Sequence, residues 1–324
     1  MLALQYSNGQ LTLHKNYPKP IPEPDEALVC ITLAGICSTD LEIVKGYSPD
    51  FSGVLGHEFV GVVEAAEEES WVGKRVVSSI NIGCQTCLAC QKQGPEHCLN
   101  RQVLGIHHRD GVFAEFVAVP LRNLHHVPDN VPDERAVFTE PLAAALRIQE
   151  QVAIRPSAKT AVIGPGRLGL LVAQVLRNAG VHVTILGRRH GSLTLPKSWG
   201  LSTGLVTDFP DADFDFVVET TGNNAGFVEA LRLVRPLGTL ILKSTFAGNS
   251  QLDLTKVIVS EINVLGSRCG PFGPALRLLA QNAIQTDKMI MAEYLLPDAL
   301  AAFQKAAQPG VLKVLLRPTP PQIL

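Results

Sequence analysis

The pattern of apolar and polar positions changes once along the chain, near residue 133. Before this point, short apolar stretches bounded by turns predict strands over residues 27–36, 54–65, 74–80 and 111–120. Asn8 and Gly9 lie between two alternating segments and predict a hairpin over residues 2–15, since both residues tolerate the positive φ of a tight turn. Prolines at positions 18, 20, 22 and 24 predict an extended connector.

Beyond residue 133, strand and helix patterns alternate. Helical spacing over residues 136–152 follows a helix start at Asp133. Strands are predicted at 160–164, 181–186, 214–219 and 239–243, with helices at 168–179 and 227–234. Nearly continuous apolar strands separated by helices are typical of a parallel, doubly wound sheet. The tail returns to mixed structure and ends on a strand-like segment at 311–317, which we expect to rejoin the first domain.

Length, composition and charge narrow the class of protein. With 324 residues, of which 46% are hydrophobic, the chain is long enough for two domains with real cores. Lys and Arg total 28 against 30 Asp and Glu, and the chain has no basic run, which argues against a nucleic-acid-binding surface. The chain contains no apolar run of about 18 residues and begins without a secretory signal. We therefore expect a soluble, cytoplasmic protein that binds neither nucleic acid nor membrane.

A glycine-rich turn follows the strand predicted at 160–164. Gly164, Gly166 and Gly169, with Arg167 and Leu168 between them, fit G-x-G-x-x-G at the start of a predicted helix. The glycines allow the backbone to approach a pyrophosphate, whose charge is stabilised at the helix N-terminus. The alternative is a tight strand–helix turn without a ligand.

The end of the next strand bears on the choice of dinucleotide. An acidic residue there would bind the ribose 2′-hydroxyl of NAD, but this chain has Arg188 and Arg189. Two guanidinium groups could bind a 2′-phosphate instead, which favours NADP(H) over NAD(H). The alternative is that both arginines belong to a solvated strand end.

The chain has seven cysteines, and this odd number in a chain without an export signal argues against a disulfide framework. Cys84, Cys87, Cys90 and Cys98 lie within fifteen residues and offer four thiolates, which suit tetrahedral Zn²⁺. A site with four cysteine ligands has no open position, so its role would be structural. An iron–sulfur cluster is the competing interpretation.

A second set of candidate ligands is spread more widely along the chain. Cys37 follows the strand at 27–36, His57 comes twenty residues later, and Glu140 offers a carboxylate, which together are ligand types of catalytic zinc. Asp40 could orient the imidazole of His57. Taken singly, a buried Cys at a strand end is more often a core residue, and a lone His is more often structural.

The order of these motifs resembles the zinc-containing medium-chain alcohol dehydrogenases, in particular the polyol, glucose and threonine dehydrogenase branch. The motifs are GICSTD, GHEFVGVV, the four-cysteine cluster, EPLA and the glycine-rich turn, and they cover nearly the whole chain. The resemblance implies an α/β protein with a GroES-like, β-rich catalytic domain at 1–141, which includes a structural zinc lobe. A Rossmann domain with a doubly wound parallel sheet follows at 142–268, and 269–324 returns to the catalytic domain.

The resemblance also implies roles for single residues. Cys37 and His57 match catalytic zinc ligands, and Glu58 matches an acidic neighbour that can approach the metal. Glu140 matches the position that is Glu in the polyol, glucose and threonine branches, so Glu58 and Glu140 remain alternatives for completing the zinc shell. Thr39 matches the hydroxyl that begins a proton relay. The four-cysteine cluster matches the structural zinc lobe, and we expect Thr221 and Ser244 near the nicotinamide half of the cofactor.

The implied activity is that of a zinc-dependent oxidoreductase of the EC 1.1.1 type. It would use two zinc ions per chain, one catalytic and one structural, and would transfer a hydride between NADP(H) and a secondary alcohol, polyol or sugar and its carbonyl partner. The alternatives are a zinc-free NADPH-dependent reductase on the same scaffold and a noncatalytic NADPH-binding sensor.

Assembly and substrate are less constrained. The resemblance implies a homodimer or homotetramer, and the apolar segment 237–242 is a candidate for the sheet edge that pairs between subunits. Atypical segments at 64–71 and 191–204 prevent transfer of a substrate from the family. His107 and His108 either line the substrate pocket or are exposed loop residues.

Overall fold

The computed structural model describes residues 1–245 and 253–318. The strands are β1 (Ala3–Ser7), β2 (Gln10–His14), β3 (Glu26–Gly35), β4 (Gly53–Val54), β5 (Glu58–Ala66), β6 (Arg75–Ser78), β7 (Asn81–Ile82), β8 (Gln102–Leu104), β9 (His108–Arg109), β10 (Phe116–Pro120), β11 (Leu124–His126), β12 (Thr160–Ile163), β13 (Val183–Gly187), β14 (Ser202–Leu205), β15 (Phe214–Glu219), β16 (Val234–Leu242), β17 (Asn263–Gly266), β18 (Ile290–Leu295) and β19 (Lys313–Arg317). The helices are α1 (Ser38–Val44), α2 (Leu88–Lys92), α3 (Asp133–Ala136), α4 (Thr139–Gln151), α5 (Arg167–Asn178), α6 (His190–Ser198), α7 (Asn224–Leu233), α8 (Leu254–Val259), α9 (Phe272–Ala280) and α10 (Ala299–Ala306).

These elements form two compact units. The first unit contains Met1–Glu140, Ala275–Gln281 and the chain from Met289 onward, and the second contains Pro141–Pro274 and Asn282–Lys288. The domain limits 1–141, 142–268 and 269–324 stay predictions, and residues 246–252 and 319–324 within them lie outside the described residues.

The first unit is rich in β-structure, as the sequence analysis predicts for the first domain. Its main sheet has the strand order β11-β6-β5-β3-β19-β18, and β10 also pairs with β3. Strand β3 lies inside this sheet because nearly all of its residues are apolar and buried. Two smaller sheets have the orders β2-β1-β4 and β7-β8-β9. The core beneath them includes Phe113 and Phe303, whose rings meet edge to face at 5.7 Å.

The second unit contains the predicted doubly wound parallel sheet. Its order is β14-β13-β12-β15-β16-β17, and every neighbouring pair is parallel. This is the strand order of a dinucleotide-binding fold, in which ligands bind outside the carboxyl ends of the strands. All four residues of β12 are buried, which agrees with the apolar residues that follow Thr160 in its sequence.

Several predicted elements differ from the observed ones. The strand predicted over 54–65 is interrupted between β4 and β5, where Gly56 has a φ of 95°. The strand predicted over 111–120 contains only β10, because its first residues pair with the chain around Gly56. The strand at 311–317 is observed as β19, and β14, β17 and α6 were not predicted.

The prediction that residues 237–242 form an edge of the sheet is wrong. This segment belongs to β16, which lies between β15 and β17. An inner strand and an edge strand can be equally apolar, and the short β17 that forms the edge carries little hydrophobic signal.

Among the described residues, none of the helices combines the length and the apolar character required to cross a membrane.

Candidate functional site

The candidate catalytic ligands come together at the ends of two paired strands. Possible ligand atoms of Cys37, His57 and Glu58 all lie within 4.8 Å of one another. Cys37 follows β3, and His57 immediately precedes Glu58, the first residue of β5. Strands β3 and β5 are antiparallel with Gly35 opposite Glu58, so this pairing places the three residues side by side.

Two glycines make room for this arrangement. A Cβ atom on Gly35 would lie 2.7 Å from Oε2 of Glu58, and one on Gly56 would lie 2.6 Å from the ring of Phe113. Gly56 also has a φ of 95°, which strains other residues. The turn before His57 and the packing against the Glu58 side chain therefore both depend on glycine.

Asp40 contacts two members of the ligand group, Cys37 and His57. Its Oδ2 accepts a hydrogen bond of 2.8 Å from the backbone N–H of Cys37, and its Oδ1 lies 3.2 Å from Nδ1 of His57. Burial lowers the pKa of His57, but the Asp40 carboxylate and the nearby Cys37 raise it more, so the pKa lies well above its ordinary value. The contact with Asp40 leaves Nε2 of His57 available to a metal ion.

Glu58 carries one paired and one unpaired oxygen. Its Oε2 forms an ion pair with Nζ of Lys313, whose side chain is as deeply buried as that of Glu58. The Lys313 ammonium also lies 5.3 Å from the centre of the Phe138 ring. Oε1 of Glu58 is buried without a hydrogen-bond partner among the described residues. An unpaired buried carboxylate oxygen beside a thiol and an imidazole fits the ligand preferences of zinc.

Among the other residues predicted for this site, Thr39 contacts the group. The Thr39 hydroxyl is 3.8 Å from Sγ of Cys37. Glu140 lies in the first turn of α4, and the structure does not bring it into the group of three. His107 is half-buried and His108 is exposed, with their rings 4.0 Å apart.

The four-cysteine cluster is also assembled. Possible ligand atoms of Cys84, Cys87, Cys90 and Cys98 lie within 4.8 Å of one another, and all four thiols are free. A hydrogen bond from the Thr86 hydroxyl lowers the pKa of Cys84 to about 6, whereas burial raises the pKa of Cys90 to about 12. Four thiolates at this spacing repel one another unless a cation binds, so the cluster fits a zinc ion.

The glycine-rich turn connects β12 to α5 in the second unit. Gly164 has a φ of 102°, and a Cβ atom on Gly169 would lie 2.0 Å from the carbonyl oxygen of Gly164. Gly166 is the N-cap of α5, and Arg167 and Leu168 begin the helix. The turn therefore has the close packing and the helix N-terminus that pyrophosphate binding requires.

The predicted cofactor residues of the later strands also lie at carboxyl ends. Arg188 and Arg189 follow β13 and are exposed. Thr221 follows β15 and Ser244 follows β16.

Two buried charged residues near these groups escaped the sequence analysis. Glu219 ends β15 directly after the apolar residues Val217 and Val218, and an acid at that position is a signal that could have revealed it. Lys313 begins β19 and is 255 residues from Glu58, so no local pattern reports their pairing.

Comparison with known proteins supplies the wider context. A model of the alcohol dehydrogenase GroES-like domain matches residues 23–129, and a zinc-binding dehydrogenase model matches residues 168–281. The chain is 29% identical to sorbitol dehydrogenase of Halalkalibacterium halodurans over 340 aligned residues, which cover 98% of each protein.

Solved structures are similar over almost the full length. A candidate zinc-binding dehydrogenase of Sinorhizobium meliloti 1021, bound to NADP, is 30% identical with a TM-score of 0.88, covering 98% of this chain and 99% of that one. An alcohol dehydrogenase of Escherichia coli CFT073, complexed with NADH, is 25% identical with a TM-score of 0.87 and the same coverage. The similar structures thus include one with the phosphorylated dinucleotide NADP and one with NADH, which lacks the 2′-phosphate.

The buried pair of Lys313 and Glu58 generates a prediction about stability. We expect Lys313→Met to lower the free energy of unfolding by about 3–5 kcal/mol, because it leaves the Glu58 carboxylate buried without its partner. The control is Lys45→Met, which breaks an exposed ion pair with Glu42 and should cost at most about 1 kcal/mol. Urea unfolding followed by circular dichroism measures both. Equal losses in the two variants would contradict the prediction.

Proposed function

The chain belongs to the zinc-type medium-chain alcohol dehydrogenase family, and we propose that it is a zinc-dependent enzyme. It would interconvert an alcohol and its carbonyl partner by transferring a hydride to or from NADP(H). Membership in this family makes it an oxidoreductase of the alcohol dehydrogenase class. The observation that carries the zinc dependence is the grouping of possible ligand atoms of Cys37, His57 and Glu58, together with the Glu58 oxygen that has no hydrogen-bond partner among the described residues.

Catalytic zinc would be held by Cys37, His57 and a carboxylate from Glu58 or Glu140. When bound, it would supply a Lewis acid that polarises the substrate oxygen. Asp40 orients His57 by contact with its Nδ1 and fixes the N–H of Cys37. The four-cysteine cluster would hold a second zinc ion with a structural role.

Thr39 is proposed to move the proton released from the substrate hydroxyl. Its own hydroxyl lies 3.8 Å from Sγ of Cys37, beside the ligand group. A hydroxyl can accept one proton while it donates another, so Thr39 can pass a proton outward without becoming charged.

The cofactor residues are proposed as follows. The turn formed by Gly164, Gly166, Arg167, Leu168 and Gly169 binds the pyrophosphate at the N-terminus of α5. Arg188 and Arg189 bind the 2′-phosphate, which makes NADP(H) the preferred dinucleotide. Thr221 and Ser244 contact the nicotinamide half. When bound, the nicotinamide ring supplies the hydride chemistry.

The proposed substrates are secondary alcohols, polyols and sugars. The support comes from the similarity to sorbitol dehydrogenase and from the Glu at position 140. Both are arguments by analogy with the family, so a substrate screen would begin with polyols.

The zinc proposal predicts the behaviour of Cys37→Ser. We expect the wild-type protein to hold two zinc ions per chain, one for each ligand group, and Cys37→Ser to hold one. Turnover of polyols should be lost because the catalytic metal is lost, whereas NADPH affinity should stay within about 2-fold. Metal content by mass spectrometry, steady-state kinetics and calorimetric NADPH titration measure these effects.

The control for this experiment is Cys30→Ser, a half-buried thiol on β3 outside both ligand groups, which should keep both zinc ions. Undiminished turnover in Cys37→Ser would contradict the zinc mechanism. One zinc per wild-type chain would favour the zinc-free reductase or the sensor.

The cofactor proposal predicts a selective loss of NADPH binding. We expect Arg188→Ala and Arg189→Ala each to weaken NADPH binding by about 10-fold to 100-fold, since a charge-assisted hydrogen bond to phosphate is removed. NADH binding should be unchanged. The matched control is the exposed Arg155, whose change to Ala alters net charge equally. Equal losses of affinity for NADPH and NADH would show that the two arginines do not bind the 2′-phosphate.

We also propose that a second copy of the chain pairs along β17. This strand has a neighbour on one side only within the described part of the sheet. Leu254, Ile258 and Val259 on the preceding helix α8 are 63–77% exposed, so exposed apolar side chains also precede the edge strand in the chain. Two antiparallel copies of one edge strand form a self-complementary, two-fold interface.

Pairing along β17 predicts that Val264→Lys lowers the oligomeric mass by half. A lysine on an edge strand opposes pairing with its own copy because it places like charges together. Val228→Lys, at an exposed position of α7, is the control and should leave the mass unchanged. Light scattering after size-exclusion chromatography measures the mass. A monomeric wild type, or an unchanged mass for Val264→Lys, would refute the interface.

A further inference from the structure

Glu219 is a fully buried carboxylate in the second unit. It ends β15, and its side chain has no exposed surface. Oε1 accepts hydrogen bonds of 2.5 Å from both the backbone N–H and the hydroxyl of Thr221. Oε2 accepts a hydrogen bond from the Ser244 hydroxyl. A buried carboxylate is costly unless its oxygens accept hydrogen bonds, and these three neutral donors supply two to Oε1 and one to Oε2.

These hydrogen bonds connect the carboxyl ends of two neighbouring strands. Ser244 follows β16, whereas Thr221 follows β15. The link is closed by Gly222, whose N–H donates a hydrogen bond of 3.0 Å to the Ser244 hydroxyl. Gly222 has a φ of 69°, so the turn can place this N–H toward Ser244 with little strain. Glu219 thus holds both strand ends in one arrangement.

The residues on either side of this link are fixed as well. The Thr220 hydroxyl lies 2.7 Å from the carbonyl oxygen of Ile163 and 2.9 Å from that of Gly164, which ties β15 to the glycine-rich turn. The Lys243 ammonium donates to the carbonyl oxygens of Ala144, at 2.6 Å, and Arg268, at 3.0 Å. Thr221 and Ser244 therefore project from a backbone that has little freedom to adjust.

The hydrogen-bond polarity of Ser244 follows from these contacts. Its single hydroxyl hydrogen is used by Glu219, and one lone pair accepts the N–H of Gly222. What remains is one lone pair, so Ser244 can offer only an acceptor to a ligand. A carboxylate at position 219 enforces this state, because it has no hydrogen to donate.

We propose that Glu219 is a positioning residue that orients Ser244 as an acceptor for a hydrogen-bond donor on the nicotinamide riboside half of the cofactor. The inference rests on the proposed dinucleotide site, since the strand ends that Glu219 joins are those where that half would bind. The donor is either the carboxamide NH₂ or a ribose hydroxyl.

The variant Glu219→Gln tests this inference because it keeps the size of the side chain. Its carbonyl oxygen can still face the two donors of Thr221, while its NH₂ group faces Ser244. The Ser244 hydroxyl must then accept from position 219, and its own hydrogen is released toward the ligand. The substitution therefore reverses the polarity that Ser244 presents without opening a cavity.

The readout is binding, measured by calorimetry with NADP⁺ and with 2′,5′-ADP, which lacks the nicotinamide riboside. We expect Glu219→Gln to weaken NADP⁺ binding about 10-fold and to leave 2′,5′-ADP binding within about 2-fold. Ser244→Ala should produce the same selective loss. The double variant should be no weaker than Ser244→Ala alone, since Glu219 acts through Ser244. Glu150→Gln, an exposed carboxylate of the same unit, is the control.

An analogue identifies the donor. The 3-acetylpyridine form of NADP⁺ has a methyl group in place of the carboxamide NH₂. If the wild type prefers NADP⁺ and Glu219→Gln loses this preference, the donor is the carboxamide. If the preference is the same in both proteins while Glu219→Gln still loses affinity for the whole cofactor, the donor is a ribose hydroxyl.

Other outcomes separate this inference from the proposed function. Unchanged NADP⁺ binding in Glu219→Gln, or equal losses of NADP⁺ and 2′,5′-ADP, would overturn the positioning role alone. If the wild type binds NAD⁺ and ADP but not NADP⁺ and 2′,5′-ADP, the NADP preference fails, and the comparison of NAD⁺ with ADP, which lacks the nicotinamide riboside, decides the role of Glu219. A wild type that binds neither dinucleotide would overturn both.

Discussion

The antiparallel pairing of β3 with β5 determines the geometry of the candidate metal centre. Its last pair sets Gly35 opposite Glu58, so the chain leaving β3 and the chain entering β5 run side by side. Cys37 and His57 become neighbours for this reason, although twenty residues separate them. A slip of one residue would turn Glu58 to the opposite face of the sheet and away from Lys313. The buried ion pair makes such a slip costly, because the slip would leave both the Glu58 carboxylate and the Lys313 ammonium buried without a partner.

The two units stabilise a buried carboxylate by different physical means. Glu58 is paired with a charged lysine, and one of its oxygens is unpartnered within the described chain. Both oxygens of Glu219 accept hydrogen bonds, and every donor that the described part of the structure shows there is neutral. A carboxylate with one oxygen left without a partner suits a site that binds a cation, whereas a carboxylate with hydrogen bonds at both oxygens suits a rigid support. The contrast separates a candidate ligand from a positioning group.

Sequence patterns predicted the parallel sheet better than its edges. Strand β15 was predicted to the residue, and the hairpin of β1 and β2 followed from Asn8 and Gly9, which have φ values of 49° and 78°. Strands β14 and β17 were missed because they contain four residues each and include polar and exposed positions, as edge strands often do. Motif spacing indicated Cys37 and His57, but the partnership of Glu58 with Lys313 arises only when the last strand joins the first sheet.

The unpaired oxygen of Glu58 also bears on what the first unit does. Leaving a buried acceptor without a partner costs about 1–3 kcal/mol, a large part of the roughly 5–15 kcal/mol that separates a folded domain from its unfolded state. Replacing a buried ion pair with apolar residues often stabilises a protein, so a chain that only bound a nucleotide would gain from losing Glu58 and Lys313 together. A cation bound at Oε1 would remove this cost, and Cys37 and His57 would be its other proposed ligands. The arrangement therefore supports the proposed metal site over a module that only binds a nucleotide.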